Sequence, residues 1–316
     1  MLMAFLENQE RGMLIGFIAL AAVVYMVTTF ADREGINNIL AGFERAYQRV
    51  FKRPFRFDFG LNQNVLPHQQ RQFLFDQLHF YKQLTRLQRT TFDHRTVRFM
   101  KSRIFETREG VDLTDDMKLL ISATAVQITF GMRGYMMREF SRIIIYPRSY
   151  FNRQTEQHHK GEVNANGVVV LSWEDFYEGI RIPDDDLNLG LHEFAHVLAL
   201  QRLQNPDFRD RFFEDAFDKL MHNVTHPGFR TVIQKRLGLR PYALANPMEF
   251  FAVATEAFFE NPLAMYHNHR TIYKLFTQMY NLELAHWYNR PVVALAHLPL
   301  SAESKMSTSH KISNDE

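Results

Sequence analysis

Cysteine is missing altogether from this chain of 316 residues. That excludes disulfides, thiolate metal ligands and a cysteine nucleophile, and it is compatible with a reducing compartment without requiring one. Charge of one sign is missing too: 37 Lys and Arg against 35 Asp and Glu leave a net charge of +2. Such balance provides no electrostatic footprint for a phosphate backbone, and no aromatic–basic signature accompanies it, so no direct nucleic-acid partner is expected. Tryptophan is scarce at 2 residues while phenylalanine reaches 29, ample material for one sizeable apolar core plus appendages. Internal repeats are absent.

Long apolar runs are rare as well, and the exception is near the start. Met13 to Ala31 (MLIGFIALAAVVYMVTTFA) carries no charge. At 1.5 Å per residue it reaches about 28 Å, close to the ~30 Å hydrocarbon thickness of a bilayer. The chain is therefore read as an N-terminal tail over 1–11, one transmembrane helix over 12–31 and a juxtamembrane segment over 32–67. A signal peptide cleaved near Ala31 is the alternative, disfavoured by an acidic stretch ahead of the run and by its length. Arg33, Arg45, Arg49, Lys52, Arg53 and Arg56 follow the run and only Arg11 precedes it, which puts the remainder of the chain on the cytoplasmic side.

Residues 68–300 read as one α+β, mainly helical domain with a small β-sheet. Helical periodicity runs over 68–104 (Phe73, Leu74, Leu78, Tyr81, Leu84, Leu87), and Thr114 caps a helix through Ile128. Ile143–Tyr146 and Val168–Leu171 have strand character, and helices dominate from Asp186 to about Tyr288. The polar stretch 301–316 lacks periodicity and is read as a disordered tail.

The most informative stretch is His192-Glu193-Phe194-Ala195-His196. Leu191, Phe194, Ala195 and Leu198 follow helical spacing, so His192 and His196, four apart, share one face. Two imidazoles can then meet one zinc ion, with Glu193 beside it as a carboxylate able to take a proton from bound water. A pair of hydrogen-bonded core histidines is the bland alternative.

A third ligand is sought in ANPMEFFAVATEAFFENP, where Asn246 reads as an N-cap, Pro247 as the first helical residue and Asn261-Pro262 as the stop. Glu249 and Glu256, seven apart, lie on one otherwise apolar face. Glu249 could instead fold back on the cap as a capping-box glutamate, and Glu256 could pair a buried Arg or His; spacing favours Glu249 only slightly. His158-His159, read as part of a polar loop, and His222, His226, His267, His269 and His286 show no metal spacing.

LHEFAHVL followed by PMEFFAVATEAFF, with IIIYPRSYF, GVVVLSWEDF and PYALANP, resembles the MtfA (Mlc titration factor A) family of zinc-dependent peptidases over about residues 68 to 290. The resemblance implies a zincin-like, gluzincin fold, one Zn2+ per chain held by His192, His196 and Glu249, Glu193 as catalytic base, and aminopeptidase-type activity on peptides. Glu256 then becomes a supporting residue beside the ligands. It also implies a possible transcription-repressor partner, although the apolar N-terminal run departs from the enterobacterial pattern and suggests a site at the inner face of a bacterial membrane. Tyr242 is a candidate donor to the reaction's oxyanion, or an ordinary packed tyrosine. The GVVVLSW strand is either an exposed edge able to pair with an extended peptide or a plain core strand.

Overall fold

The computed structural model describes residues 66–132, 134–153, 155–204, 211–226, 228–229 and 239–288, together with 46, 47 and 50. The chain divides into two units, Met1–Phe57 and Asp58–Glu316, and the elements that follow belong to the second. The expected membrane helix over 12–31, nearly all of 32–67 and the tail over 301–316 lie outside the described residues. Among the described residues no helix is long and apolar enough to cross a membrane.

The helical stretch expected over 68–104 is three helices, α1 (His68–Gln77), α2 (His79–Gln83) and α3 (Arg86–Lys101). Leu78 and Leu84 adopt extended backbone between them. Thr85 restarts the helix through a capping box: its hydroxyl accepts from the Gln88 backbone N–H, and the Gln88 side chain accepts from the Thr85 N–H. That Thr-x-x-Gln signal was readable and outweighs continuous apolar periodicity. Residue 104 is already in β1 (Ile104–Thr107). α4 (Asp115–Thr129) begins where expected, with Thr114 accepting from the Met117 N–H.

Five further strands and one helix complete the β-rich middle of the described residues: β2 (Arg142–Tyr146), β3 (Tyr150–Asn152), β4 (Gln157–His159), β5 (Gly161–Asn164), β6 (Val168–Ser172) and α5 (Trp173–Arg181). The main sheet has the order β1-β2-β6-β5. β1, β2 and β6 are parallel, and β5 runs antiparallel to β6. GVVVLSW is thus an inner strand, paired on both sides, and the exposed-edge reading of it is incorrect: the edges are β1 and β5. His158 and His159 sit in β4, paired with β3, rather than in a loop. The alternation expected of an antiparallel strand is too short in β3, β4 and β5 to register against their polar composition.

The rest is helical: α6 (Leu189–Gln204), α7 (Arg211–Thr225), a 3-10 turn (Pro241–Leu244), α8 (Pro247–Glu260), α9 (Pro262–Asn268), α10 (Arg270–Tyr280) and α11 (Leu284–Tyr288). α6 packs against α8, α4, β5 and β6. α8 is buried at every residue from Phe250 to Glu260, as a helix apolar on all sides must be. Phenylalanines fill the space: Phe80 meets Phe92, Phe130, Phe259 and Trp287, and Phe251 meets Phe213, Phe217 and Phe276. This packing fixes α6 and α8 side by side.

Candidate metal centre

Asn188 caps the start of α6. Its side-chain oxygen accepts from the Leu191 N–H at 3.0 Å, while its amide nitrogen donates to Gly179 O and Glu260 Oε1. From that start, His192 and His196 point the same way one turn apart, with their Nε2 atoms 3.2 Å from one another. α8 delivers Glu249, whose Oε2 lies 3.1 Å from His192 Nε2 and 3.6 Å from His196 Nε2. One ligand atom from each of the three residues lies within 4.8 Å of the others.

The alternative role for Glu249 is not taken up. Asn246 makes the cap alone, its Oδ1 accepting from the Met248 and Glu249 backbone N–H groups at 2.9 and 3.0 Å. The Glu249 carboxylate turns to the imidazoles, and its buried Oε2 faces only the two ring nitrogens. A buried carboxylate is stabilised there by positive charge, whether on an imidazolium or on a cation held between the three side chains.

Glu256, 1 % exposed, lies behind the pair. Its Oε1 meets His192 Nδ1 at 2.8 Å and accepts from Arg240 Nη2 at 2.5 Å, and its Oε2 accepts from the Asn188 backbone N–H at 2.7 Å. A carboxylate with this cationic and N–H company is an acceptor, so the proton of neutral His192 sits on Nδ1 and its Nε2 offers a lone pair forward. Burial works against charge on the His192 ring, but hydrogen bonding to Glu249 and Glu256 outweighs it and raises the pKa to about 10, so a metal ion taking the Nε2 lone pair would displace a proton from it. Burial likewise acts to raise Glu249, yet hydrogen bonds to His192 and His196 hold it well below the usual carboxylate range. Two imidazole nitrogens and one carboxylate oxygen, with one side open to a groove, fit a catalytic transition-metal site.

Glu193 is 5 % exposed and tucked under β5. Burial pushes its carboxyl up to about 7, even with His192 and His196 acting to lower it. Tyr242, in the 3-10 turn, is half-exposed, with its ring 6.1 Å from that of His192. Burial and neighbouring Glu249 raise its phenol above the ordinary value, so it stays a neutral O–H donor. All six residues singled out from the sequence meet here. Sequence reasoning missed Asn188, Arg240 and Gly161. The first carries a readable N-cap signal four residues before His192; the other two carry none.

A family model described as glucose-regulated metallo-peptidase M90 matches residues 52–281. An uncharacterized protein of Synechocystis sp., slr2042, is 28% identical over 246 residues, 71% of this chain and 87% of its own length. The Mlc titration factor A of Pectobacterium atrosepticum is 23% identical over 60% of this chain and 79% of its own. That of Yersinia pestis is 21% identical over 60% and 77%.

Proposed function

We infer, because this chain belongs to the glucose-regulated metallo-peptidase M90 family, that it is a zinc-dependent peptidase of aminopeptidase type. The observation that carries the reading is the convergence of His192, His196 and Glu249 on one point with Glu193 alongside. His192, His196 and Glu249 would hold the zinc ion, which when bound polarises a scissile carbonyl and acidifies water. Glu193 accepts a proton from the attacking water and passes it to the leaving amine nitrogen. Its raised affinity for protons suits it to both halves of that transfer. Tyr242 donates its O–H to the carbonyl oxygen as negative charge develops there. Glu256 and Arg240 hold His192 in the required tautomer.

The test is Glu193→Gln. Zinc content should stay at one ion per chain while hydrolysis of aminoacyl chromogenic substrates falls by about 100-fold or more. Unchanged turnover would remove Glu193 from the chemistry. Comparing free and N-blocked peptides decides the aminopeptidase element, since an exopeptidase requires the free amine.

The name of the two enterobacterial relatives, Mlc titration factor A, favours a second reading, capture of an Mlc-like transcription repressor. Binding of such a repressor by the Glu193→Gln protein would separate capture from catalysis. We further propose that residues 12–31 anchor the chain in a bacterial inner membrane with its catalytic domain cytoplasmic. Recovery of the full-length chain in the soluble fraction, or a mature N-terminus near Asp32, would refute the anchor.

A further inference from the structure

The helical face that carries His192 and His196 does not end with them. Ala199, Leu200 and Leu203 continue it at the same spacing, so the ligand stripe becomes an apolar stripe within two turns. β5 adds to this by its own period of two: Gly161 faces Glu193, and Val163 stands two residues further along the same face. Met248, beside Glu249 in the first turn of α8, closes the third side. These five side chains line a cavity of about 480 Å3 that opens onto His192, His196 and Glu249. Among the described residues Leu203 is 71% exposed and Met248 39%, apolar surface beside the candidate metal ligands.

The charged groups of this cavity are already engaged. Arg202 Nη1 is paired with Glu214 Oε2 at 2.6 Å and Asp218 Oδ1 at 3.3 Å. Glu162 accepts from Asn152 Nδ2 at 2.6 Å. His159, Tyr242 and Asn246 also line the cavity, and most of the surface it offers a visitor is hydrocarbon. Across Glu193 the neighbouring cavity carries more charge, with Lys160, Asp175, Glu178, Asp185 and Arg240 in its lining beside Leu187 and Leu189.

We propose that Val163, Ala199, Leu200, Leu203 and Met248 form a specificity pocket for an apolar substrate side chain on one side of the scissile bond, the residue on the other side lying against the charged cavity. The proposal rests on the peptidase reading above. An apolar side chain leaving water for such a surface gains about 25 cal/mol per Å2, whereas a carboxylate there loses hydration with no partner to replace it.

The test is a set of peptides that vary the residue on each side of the cleaved bond among Leu, Met, Ala, Asp and Lys, hydrolysed by the zinc-loaded full-length protein. The expected result is a preference for Leu or Met over Asp of at least ~10-fold in kcat/KM on one side only. Leu203→Lys and Met248→Lys, both at exposed positions, should each reverse the ranking of Leu and Asp on that same side. Equal rates for Leu and Asp on both sides, or a ranking that neither substitution alters, overturns the pocket while leaving the peptidase reading standing. Cleavage of none of the peptides overturns both.

Discussion

Gly161 of β5 and Glu193 of α6 are in contact so close that no side chain fits between them. A Cβ at position 161 would stand 2.7 Å from both Cγ and Cδ of Glu193 and nearer still to its Oε1. The glycine is there for space rather than for backbone freedom. Gly161→Ala should therefore push the Glu193 carboxylate off its position while leaving His192, His196 and Glu249 in place. We expect kcat to fall by about 10-fold or more with zinc content unchanged; equal kcat in the two proteins would mean that Glu193 need not sit there.

Glu256 tests the support behind the ligands. Glu256→Ala removes the acceptor for His192 Nδ1 and frees Arg240. Loss of such a partner weakens metal affinity by about 10- to 100-fold. Competition with a zinc chelator measures this directly, and an unchanged zinc affinity would reduce Glu256 to a packing residue.

Glu260 gives a pH dependence of stability with an unusual sign. Burial pushes its pKa up to about 8 despite the hydrogen bond from Asn188, so the folded protein holds a proton that the unfolded chain, with a carboxyl near 4.5, releases. Between those values the folded state binds more protons, and stability falls as pH rises. The contribution is complete below about 4.5 and is lost as the pH passes 8. Urea unfolding at pH 5 and pH 8 should show Glu260→Gln losing less stability over that interval than the parent. An equal loss in both proteins would refute a protonated Glu260.

Phe80 tests the core. It is 1 % exposed and touches Phe92, Phe130, Phe259 and Trp287. Phe80→Ala should destabilise the domain by about 3–5 kcal/mol, read from denaturant unfolding. A change under ~1 kcal/mol would show that neighbouring rings collapse into the space.

Much of this site was written locally. The i, i+4 spacing of His192 and His196 needs only a helix, and Asn246-Pro247 marks the start of α8 by capping chemistry alone. Strand β6 and the Thr114 cap were equally accessible, because Val-rich runs and hydroxyl caps act over a few residues. The break at Leu78 was not, since apolar spacing continues across it, and the one at Leu84 was marked only by the Thr85 capping box; the short polar strands β3, β4 and β5 were missed for the opposite reason, having too little apolar alternation to be seen.

From sequence spacing alone, Glu249 and Glu256 were nearly interchangeable, because positions seven apart on a helix differ by only about 20° in direction. Their roles were separated by depth: Glu249 sits at the mouth of α8 beside both imidazoles, while Glu256 lies two turns inside, against Arg240 and the backbone of Asn188. Likewise, nothing in Gly161 or Arg240 announces a site until the sheet and the 3-10 turn are brought over α6. Local periodicity determined which side chains share a face. Only long-range packing decided which face meets which, because the distances that matter join residues up to 72 positions apart.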